Sequence, residues 1–529
     1  MKITQPVFKI LPAILVFVLF LSCQVKDSSN KVSPFQLDEI TITEIQQGYK
    51  DGTYSVRQIV QLYIDRIEEI DKKGPKTNAI ILVNPDALQI ADSLDKELAA
   101  GKIRGPMYGI PVVLKDNIDT HDKMPTTAGS RILKDSYPPQ DSWVAKKLRD
   151  AGAVILAKAN LSEWANYRGS FSSSGWSGVG GQTNNPYVLD RNPCGSSSGS
   201  AVAVSANLCA VAVGTETWGS IMCPSNANGI VGIKPTVGLW SRSGIVPLSY
   251  AQDTAGPMAR TVTDAAILLG AVTGVDSDDK KTLASKGNSH TDYTQFLKKD
   301  GLQGKRIGYL KTKEGTHFKV DTLMHRAVRF LKSQGAEIIE LDKLVEGRPY
   351  TNSSEVLAYE FKDGLRKYFA RLGENAPVTN LAETIAATLA DSLEMLYFDV
   401  GTMENAQSKG DLETKEYKEA VKNMLKAYRD DGIDRVMEKH QLDAIVAPTG
   451  GPAWKTDMIN GDNFVLSTSV NAALSGYPNI NVPMGFIGEV PVGISFFSRA
   501  WSESILLEIA YAYEQGTQHR KAPKFLLTD

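Results

Sequence analysis

Lys115 is the first residue in the sequence whose setting suggests chemistry. It follows the short apolar segment Pro111–Leu114 directly and precedes Asp116 and Asn117. A lone lysine is usually a solvated surface cation, but the apolar segment indicates that this amine lies against the core. Burial lowers the pKa of a lysine, and a change from about 10.4 to 7.5 requires about 4 kcal/mol of destabilisation of the charged form. We therefore interpret Lys115 as a candidate base.

Two serine-bearing segments follow Lys115 along the chain. The run GSSSGS at 195–200 leads straight into the apolar Ala201–Val204, and Gly219-Ser220 follows the next predicted strand. Runs of serine and glycine are usually flexible linkers, but a linker does not continue directly into an apolar helix. The pattern instead predicts a tight loop at a helix start, where free backbone N–H groups can face an anion. We expect the two serine-bearing loops to be neighbours.

The composition excludes several classes of function. Of the 529 residues, 42% are hydrophobic and 22% are charged, which is typical of a globular protein with a large core. The formal net charge of −2 supplies no excess of positive charge for a phosphate backbone, so nucleic acid is not an expected partner. The six histidines show no HExxH or other paired-ligand spacing. We expect neither a metal site nor another cofactor.

The first residues of the chain have the pattern of an export signal. Lys2 and Lys9 precede an apolar run over Ile10–Leu21, which ends at Ser22 and Cys23. The run is shorter than the roughly 20 residues that a lasting transmembrane helix needs. A small residue before a cysteine is typical of a bacterial lipoprotein signal, at which the cysteine is lipidated.

We therefore predict three segments at the start of the chain: a signal peptide over 1–22, lipidation at Cys23, and a polar tether over 23–34. The protein would be an exported cell-envelope lipoprotein, and the lipid would attach it to a membrane. A plain secretory signal and an uncleaved anchor remain open alternatives.

The other cysteines are Cys194, Cys209 and Cys223. Their spacing shows no disulfide framework or metal site, even though the protein is expected to be exported. We interpret them as buried free thiols.

Beyond residue 35 the hydrophobic periodicity predicts an α/β fold. Two amphipathic helices are expected within 35–73, a strand over 79–83 and a helix over 85–100. Further strands are expected over 111–114, 153–157, 209–214, 442–448, 479–483 and 492–497. Further helices are expected over 142–151, 200–208 and 502–515, with a polar surface connection over 280–300 and a mainly helical excursion over about 320–440. One domain over 35–525 is the economical interpretation, and a division near 280 remains open.

Several long motifs resemble the amidase signature family, with bacterial peptide amidases as its most similar members. Around the candidate residues these motifs are GIPVVLKDN at 109–117, GSSSGS at 195–200 and GTETWGSIMCP at 214–224. The others are SGWSGVGGQTNNPY at 174–187, NGIVGIKPTVGL at 228–239, QDTAGPMARTVTDAA at 252–266, APTGGPAWKTD at 447–457, YPNINVPMGF at 477–486 and RAWSES at 499–504. The resemblance covers nearly the whole chain after residue 35.

The resemblance implies a fold and a reaction. The fold would be a single large α/β unit with a central mixed β-sheet covered by helices on both faces. The reaction would be hydrolysis of carboxamides, with the C-terminal amide of a peptide as the favoured substrate. Ser220 would be the nucleophile that forms an acyl-enzyme, Ser196 the bridging serine after a cis peptide bond, and Lys115 the base. No obligate protein partner is implied.

The resemblance also implies supporting groups around the nucleophile. Backbone N–H groups would hold the oxyanion, and they belong to Thr217, Trp218, Gly219 and Ser220. Ser197 and Thr215 would support the three catalytic side chains through hydrogen bonds, and for both the alternative role is to stabilise their own loops.

Trp218 is a departure from the family pattern, which usually has Gly at this position and commonly Asp in peptide amidases. An indole here would narrow the pocket, form an apolar wall for the acyl group or disturb an oxyanion donor. The substitution bears on substrate choice more than on catalysis, because the backbone N–H is retained.

Other functions are weighed against this one. Fatty, aryl or amino-acid amides are alternative substrates for the same mechanism. The family's glutamine-dependent tRNA amidotransferase subunit works in the cytoplasm, and the export signal speaks against that role. From another class, the chain would be a binding protein that retains only the fold. The joint presence of Lys115, Ser196 and Ser220 argues against a mere binder, which needs none of them.

Overall fold

The computed structural model describes residues 1–2, 35–346 and 350–529. Cys23, the polar tether and all but the first two residues of the predicted signal peptide therefore lie outside the described residues. Among the helices that are described, none is both long enough and apolar enough to cross a bilayer.

The strands of the described residues form one large sheet and one small one. In chain order they are β1 (Ile80–Val83), β2 (Pro111–Lys115), β3 (Val154–Ala159), β4 (Trp176–Ser177), β5 (Gly181–Gln182), β6 (Val211–Glu216), β7 (Val231–Lys234), β8 (Thr254–Ala259), β9 (Arg306–Leu310), β10 (Glu337–Leu341), β11 (Ala444–Pro448), β12 (Asn479–Ile487) and β13 (Val490–Phe497). Within that part of the chain, eleven strands make one sheet in the order β1-β3-β2-β6-β8-β7-β12-β13-β11-β9-β10. β4 and β5 pair separately.

The large sheet is mixed. β2 runs parallel to β3 and β6, and β9 runs parallel to β10 and β11, whereas the remaining neighbours are antiparallel. Every residue of β2 is buried, as expected of a strand with neighbours on both edges and helices on both faces. The unbroken apolar run before Lys115 is the sequence signature of that environment.

The α-helices of the described residues follow in chain order. They are α1 (Ile42–Lys50), α2 (Val56–Arg66), α3 (Ala87–Ala99), α4 (Trp143–Asp150), α5 (Ser198–Ser205), α6 (Met222–Ala227), α7 (Val262–Val272), α8 (Phe318–Ser333), α9 (Tyr350–Leu372), α10 (Leu381–Ala390), α11 (Gly401–Gln407), α12 (Lys415–Leu425), α13 (Arg435–His440), α14 (Val470–Ser475) and α15 (Glu503–Thr517). A π-helical segment extends α2 over Ile67–Lys73, and another, kinked at Gly432, joins α12 to α13 over Lys426–Asp434.

Helices cover both faces of the large sheet. α5 and α6 contact each other and the central strands, and α7, which contacts α4 and α15, packs on the same part of the sheet. α5 is buried along its whole length because its sequence SGSAVAVS contains only small and β-branched residues. The predicted α/β class and two-sided covering are confirmed.

The excursion over about 320–440 is mainly helical, as predicted, although one strand interrupts it. It contains β10, which joins the edge of the large sheet beside β9. The purely helical part is α9–α13, and α9–α11 share an apolar core with the segments around Leu133 and Val246. Strands that precede residue 280 and strands that follow it lie in one continuous sheet. A division of the chain into two domains near 280 would therefore not separate two sheets.

Candidate active site

Lys115 is the last residue of β2, and its side chain is completely buried. Its Nζ lies 2.7 Å from Ser196 Oγ, 2.8 Å from Thr215 Oγ1 and 3.4 Å from the Thr215 carbonyl oxygen. Thr215 belongs to β6, the parallel neighbour of β2. The pairing of these two strands therefore brings the amine and the threonine together.

Burial gives the Lys115 amine an unusual pKa. Loss of solvation lowers it from 10.5 to about 7, and the negative charges of Asp253 and Glu216 oppose that change. Removing an ammonium from water favours its neutral form. Both protonation states of this amine are therefore accessible near neutral pH.

The loop before α5 places Ser196 against Lys115. The Gly195–Ser196 peptide bond is cis, as the family resemblance implies, and the Ser196 carbonyl accepts a hydrogen bond from the Ser162 N–H at 3.1 Å. Ser197 Oγ donates to the Thr215 carbonyl at 3.0 Å and accepts from the Thr215 N–H at 3.1 Å. Ser197 thus ties this loop to β6, and Thr215 contacts Lys115 itself.

Ser220 lies on the segment between β6 and α6, next to the Ser196 loop. The Ser197 N–H donates to the Ser220 carbonyl at 3.2 Å, which makes the two serine-bearing loops neighbours, as expected. Ser220 Oγ has no hydrogen-bond partner among residues 35–346 and 350–529, and the residue lines a cavity. The contact from Lys115 to Ser196 is therefore formed, whereas the contact from Ser196 to Ser220 is not.

Two acidic side chains that sequence reasoning did not single out hold the segment around Ser220. Glu216 Oε2 accepts from the N–H groups of Ile221 at 2.8 Å and Met222 at 3.0 Å. Asp253 Oδ1 accepts from Thr217 Oγ1 at 2.6 Å. Glu216 is buried and Asp253 is partly buried, and loss of solvation raises the pKa of Asp253 to about 6. The sequence motifs that contain Glu216 and Asp253 were recognised, but nothing in the sequence showed that these carboxylates point into the protein.

Gly219 occupies a conformation and a space that suit only glycine. Its φ is 86°, in the left-handed region that side chains disfavour. A Cβ at this residue would lie 2.6 Å from Ser469 Oγ. The backbone beside Ser220 can therefore approach Ser469 closely.

The cavity in front of Ser220 has a volume of about 720 Å³. Its walls come mainly from the segments 165–170, 217–223, 401–405 and 464–469, and they are completed by Gly195, Leu248, Ser354 and Leu357. Thr217, Trp218 and Gly219, the predicted oxyanion segment, all line it. The Trp218 side chain is 39% exposed, so the indole is available as an apolar surface at the cavity.

The prediction of free thiols is wrong for two of the three cysteines. Cys194 and Cys223 form a disulfide, with their Cα atoms 5.8 Å apart. Cys209 is a buried free thiol, as predicted. The pairing arises because the two serine-bearing loops are adjacent in space: Cys194 lies just before Ser196, and Cys223 lies in the first turn of α6, just after Ser220.

Comparison with known proteins gives a consistent result. A sequence profile of the Amidase family matches residues 58–507. The chain is 40% identical to a probable amidase of Arabidopsis thaliana, over 93% of each chain. The crystal structure of the native peptide amidase of Stenotrophomonas maltophilia is similar with a TM-score of 0.89 and 45% identity, over 93% of this chain and 100% of that one. A structure of the peptide amidase PAM with the competitive inhibitor chymostatin gives a TM-score of 0.90 and 45% identity, over 92% of this chain and 100% of that one.

The environment of Lys115 predicts how the reactivity of Ser220 depends on pH. If the amine activates the serine, sulfonylation of Ser220 by a sulfonyl fluoride should accelerate as pH rises through about 7, because the neutral base is formed above its pKa. Asp253→Asn removes the negative charge that raises the Lys115 pKa most. The pH at which sulfonylation reaches half of its maximal rate should therefore move to a lower value. Mass spectrometry of the labelled protein measures the rate.

The matched control is Asp264→Asn, which removes a buried carboxylate that is not among the groups acting on Lys115. The pH of half-maximal sulfonylation in this variant should equal that of the wild type. A rate that does not vary with pH, or an unchanged pH of half-maximal sulfonylation in Asp253→Asn, would contradict the prediction.

Proposed function

The chain belongs to the Amidase family and is an amidase that acts on C–N amide bonds, and from that premise we propose that it hydrolyses primary carboxamides to carboxylate and ammonia, with the C-terminal amide of peptides as its favoured substrate. The observation that carries the proposal is the 2.7 Å contact between Lys115 Nζ and Ser196 Oγ beside the Ser220 loop. The choice of substrate is supported by the 45% identity to the peptide amidase structures.

The contacts of the Lys115 amine suit a base. A neutral amine has two N–H donors and one lone pair. The two oxygens of Thr215 are placed to accept the two donors, at 2.8 and 3.4 Å. The lone pair is then free for the proton of Ser196. Thr215 is thus proposed to orient the base, and Ser197 to hold Thr215 in place.

In the proposed reaction Ser220 Oγ attacks the amide carbonyl carbon. Its proton passes to Ser196 Oγ as the proton of Ser196 passes to Lys115, which becomes an ammonium. This relay requires Ser220 Oγ to come within hydrogen-bond distance of Ser196 Oγ. The tetrahedral intermediate then expels the nitrogen as ammonia, and the proton returns through Ser196 to that nitrogen.

The oxyanion of the intermediate is proposed to bind the backbone N–H groups of the segment 217–220. A donor of this kind typically contributes about 3–4 kcal/mol to the transition state. Glu216 and Asp253 fix this segment through the hydrogen bonds described above. Water then attacks the acyl-enzyme as its proton passes through Ser196 to Lys115. The ester bond to Ser220 Oγ breaks, the proton returns through Ser196 to Ser220 Oγ, and the product leaves as the carboxylic acid, which ionises in water.

We further propose that the protein is exported and anchored through a lipid on Cys23. The signal-like sequence motivates this location. The Cys194–Cys223 disulfide supports it, because disulfides persist in oxidising compartments.

Ammonia release from an amidated peptide tests the proposed reaction. Ser220→Ala should lower kcat by at least about 10³-fold, since it removes the nucleophile. Ser205→Ala, at a buried serine of α5 that does not line the cavity, should retain activity. Equal ammonia release by the wild type and Ser220→Ala would favour the non-catalytic binding protein.

Trp218 is proposed to influence substrate preference. Trp218→Asp replaces an apolar wall of the cavity by a small charged group, so kcat/KM for amides with large apolar acyl groups should fall about tenfold relative to the others. A panel of peptide, fatty, aryl and free amino-acid amides measures this ratio and also separates the alternative substrates. Trp143→Phe, on α4 away from the cavity, should leave the ratios unchanged. Unchanged ratios in Trp218→Asp would count against the role of the indole.

Fractionation of cells that produce the protein tests the location. The wild type should sediment with membranes and incorporate labelled palmitate, whereas Cys23→Ala should do neither, because it lacks the lipidated thiol. Both proteins should contain the Cys194–Cys223 disulfide when their peptides are analysed without reduction. A wild type that is wholly in the soluble fraction would contradict the anchor.

A further inference from the structure

A buried cluster of one arginine and two glutamates lies behind the wall of the cavity. Arg168 Nη1 donates to Glu163 Oε2 at 2.9 Å and to Glu394 Oε2 at 2.8 Å, and the side chains of the three residues are 1%, 2% and 0% exposed. Glu163 and Arg168 follow β3, whereas Glu394 lies in the turn between α10 and α11. The cluster therefore joins the sheet region to the helical excursion.

The charges of this cluster balance only if the two carboxyls share a proton. A single guanidinium compensates one buried carboxylate, and a second buried negative charge would be costly. Burial, followed by the negative charge of Glu394, raises the pKa of Glu163 well above its ordinary value. A neutral Glu163 carboxyl is therefore favoured in this cluster.

Arg168 also holds the main chain that carries α11. Its Nη2 donates to the carbonyl oxygens of Glu394 and, at 3.3 Å, of Phe398. Its own carbonyl accepts from the N–H groups of Thr402 at 3.1 Å and Met403 at 3.2 Å. These are free donors of the first turn of α11, so Arg168 fixes both the turn before this helix and its start.

Arg168 fixes two neighbouring segments that both line the substrate cavity. Thr402 and Asn405 of α11 line it. Asn166 and Tyr167, which directly precede Arg168 in the chain, line it as well. Through its main chain and its guanidinium Arg168 thus joins these two segments, and it does so without touching Ser220 or Lys115.

We propose that Arg168, Glu163 and Glu394 are positioning residues that hold these two lining segments, and with them the shape of the cavity, as the acyl part of the substrate requires. The proposal rests on the proposed function, because the occupant of the cavity is the acyl part of an amide. Loss of the cluster should weaken substrate binding and leave the reactivity of the nucleophile intact. KM should therefore change far more than kcat.

The test compares Glu163→Gln, Glu394→Gln and the double variant. Either single variant leaves one carboxyl, which can ionise opposite Arg168, so KM for an amidated peptide should rise less than about threefold. The double variant leaves a buried guanidinium without a counter-charge, so KM should rise at least about tenfold, more than the singles combined. In all three, kcat and the rate of Ser220 sulfonylation should stay within about threefold of the wild type. An unchanged KM in the double variant, or a loss of sulfonylation equal to the loss of kcat/KM, overturns the proposal.

Two further variants keep the test decisive if the double variant does not fold. Circular dichroism shows whether the double variant is folded, and if it is not, Arg168→Lys decides. This change keeps the charge balance but loses the forked contact with Glu394 and Phe398, so KM should rise at least about threefold with kcat retained; an unchanged KM overturns the proposal. Arg520→Lys is the matched control, since Arg520 pairs with Glu39 away from the cavity, and its KM should equal that of the wild type.

The two proposals fail separately. If the wild type does not hydrolyse peptide amides, the substrate assignment is wrong. KM and kcat of the variants are then compared with those of the wild type on whichever amide of the panel it does hydrolyse. A wild type that hydrolyses none of them contradicts both proposals.

Discussion

The contact of the buried Lys115 amine with Ser196 and Thr215 is the constraint on which the rest of the site depends. β2 lies between two parallel neighbours and is buried along its whole length, so an amine at its end cannot reach water. The adjoining strand β6 and the loop before α5 supply the oxygens that this amine needs. Removal from water lowers its pKa to about 7, against the opposing negative charges of Asp253 and Glu216. The segment around Ser220 is then placed by backbone contact with the same loop.

The elements that carry this contact could be predicted from the sequence because their local signals are strong. The apolar run Pro111–Leu114 matches β2, and the small residues after GSSSGS match the buried helix α5. The motifs around Lys115, Ser196 and Ser220 predicted that these side chains belong to one site, and the structure brings Lys115 and Ser196 into contact. Burial of a lysine would not have sufficed, since Lys158 and Lys234 are also buried but bind backbone carbonyls through their amines.

The features that could not be predicted are contacts between distant segments. Glu394 lies far along the chain from Glu163 and Arg168, and no local pattern shows that a charged side chain in a helical region turns into the interior. The strand β10 has only five residues with mixed polarity, so its pairing with β9 rather than its composition places it in the sheet. The pairing of Cys194 with Cys223 likewise requires the two loops to be adjacent first, which spacing alone does not reveal.

That disulfide has a consequence for the chain when it is not folded. Its cysteines are separated by 29 residues in the sequence, and closing a loop of this size removes about 3–4 kcal/mol of denatured-state entropy in the chain-entropy description. Ser196 and Ser220 both lie within this loop. A denatured molecule with this bond intact therefore still keeps the two hydroxyl-bearing segments in each other's vicinity, and the search for their native arrangement covers a smaller volume than for a reduced chain.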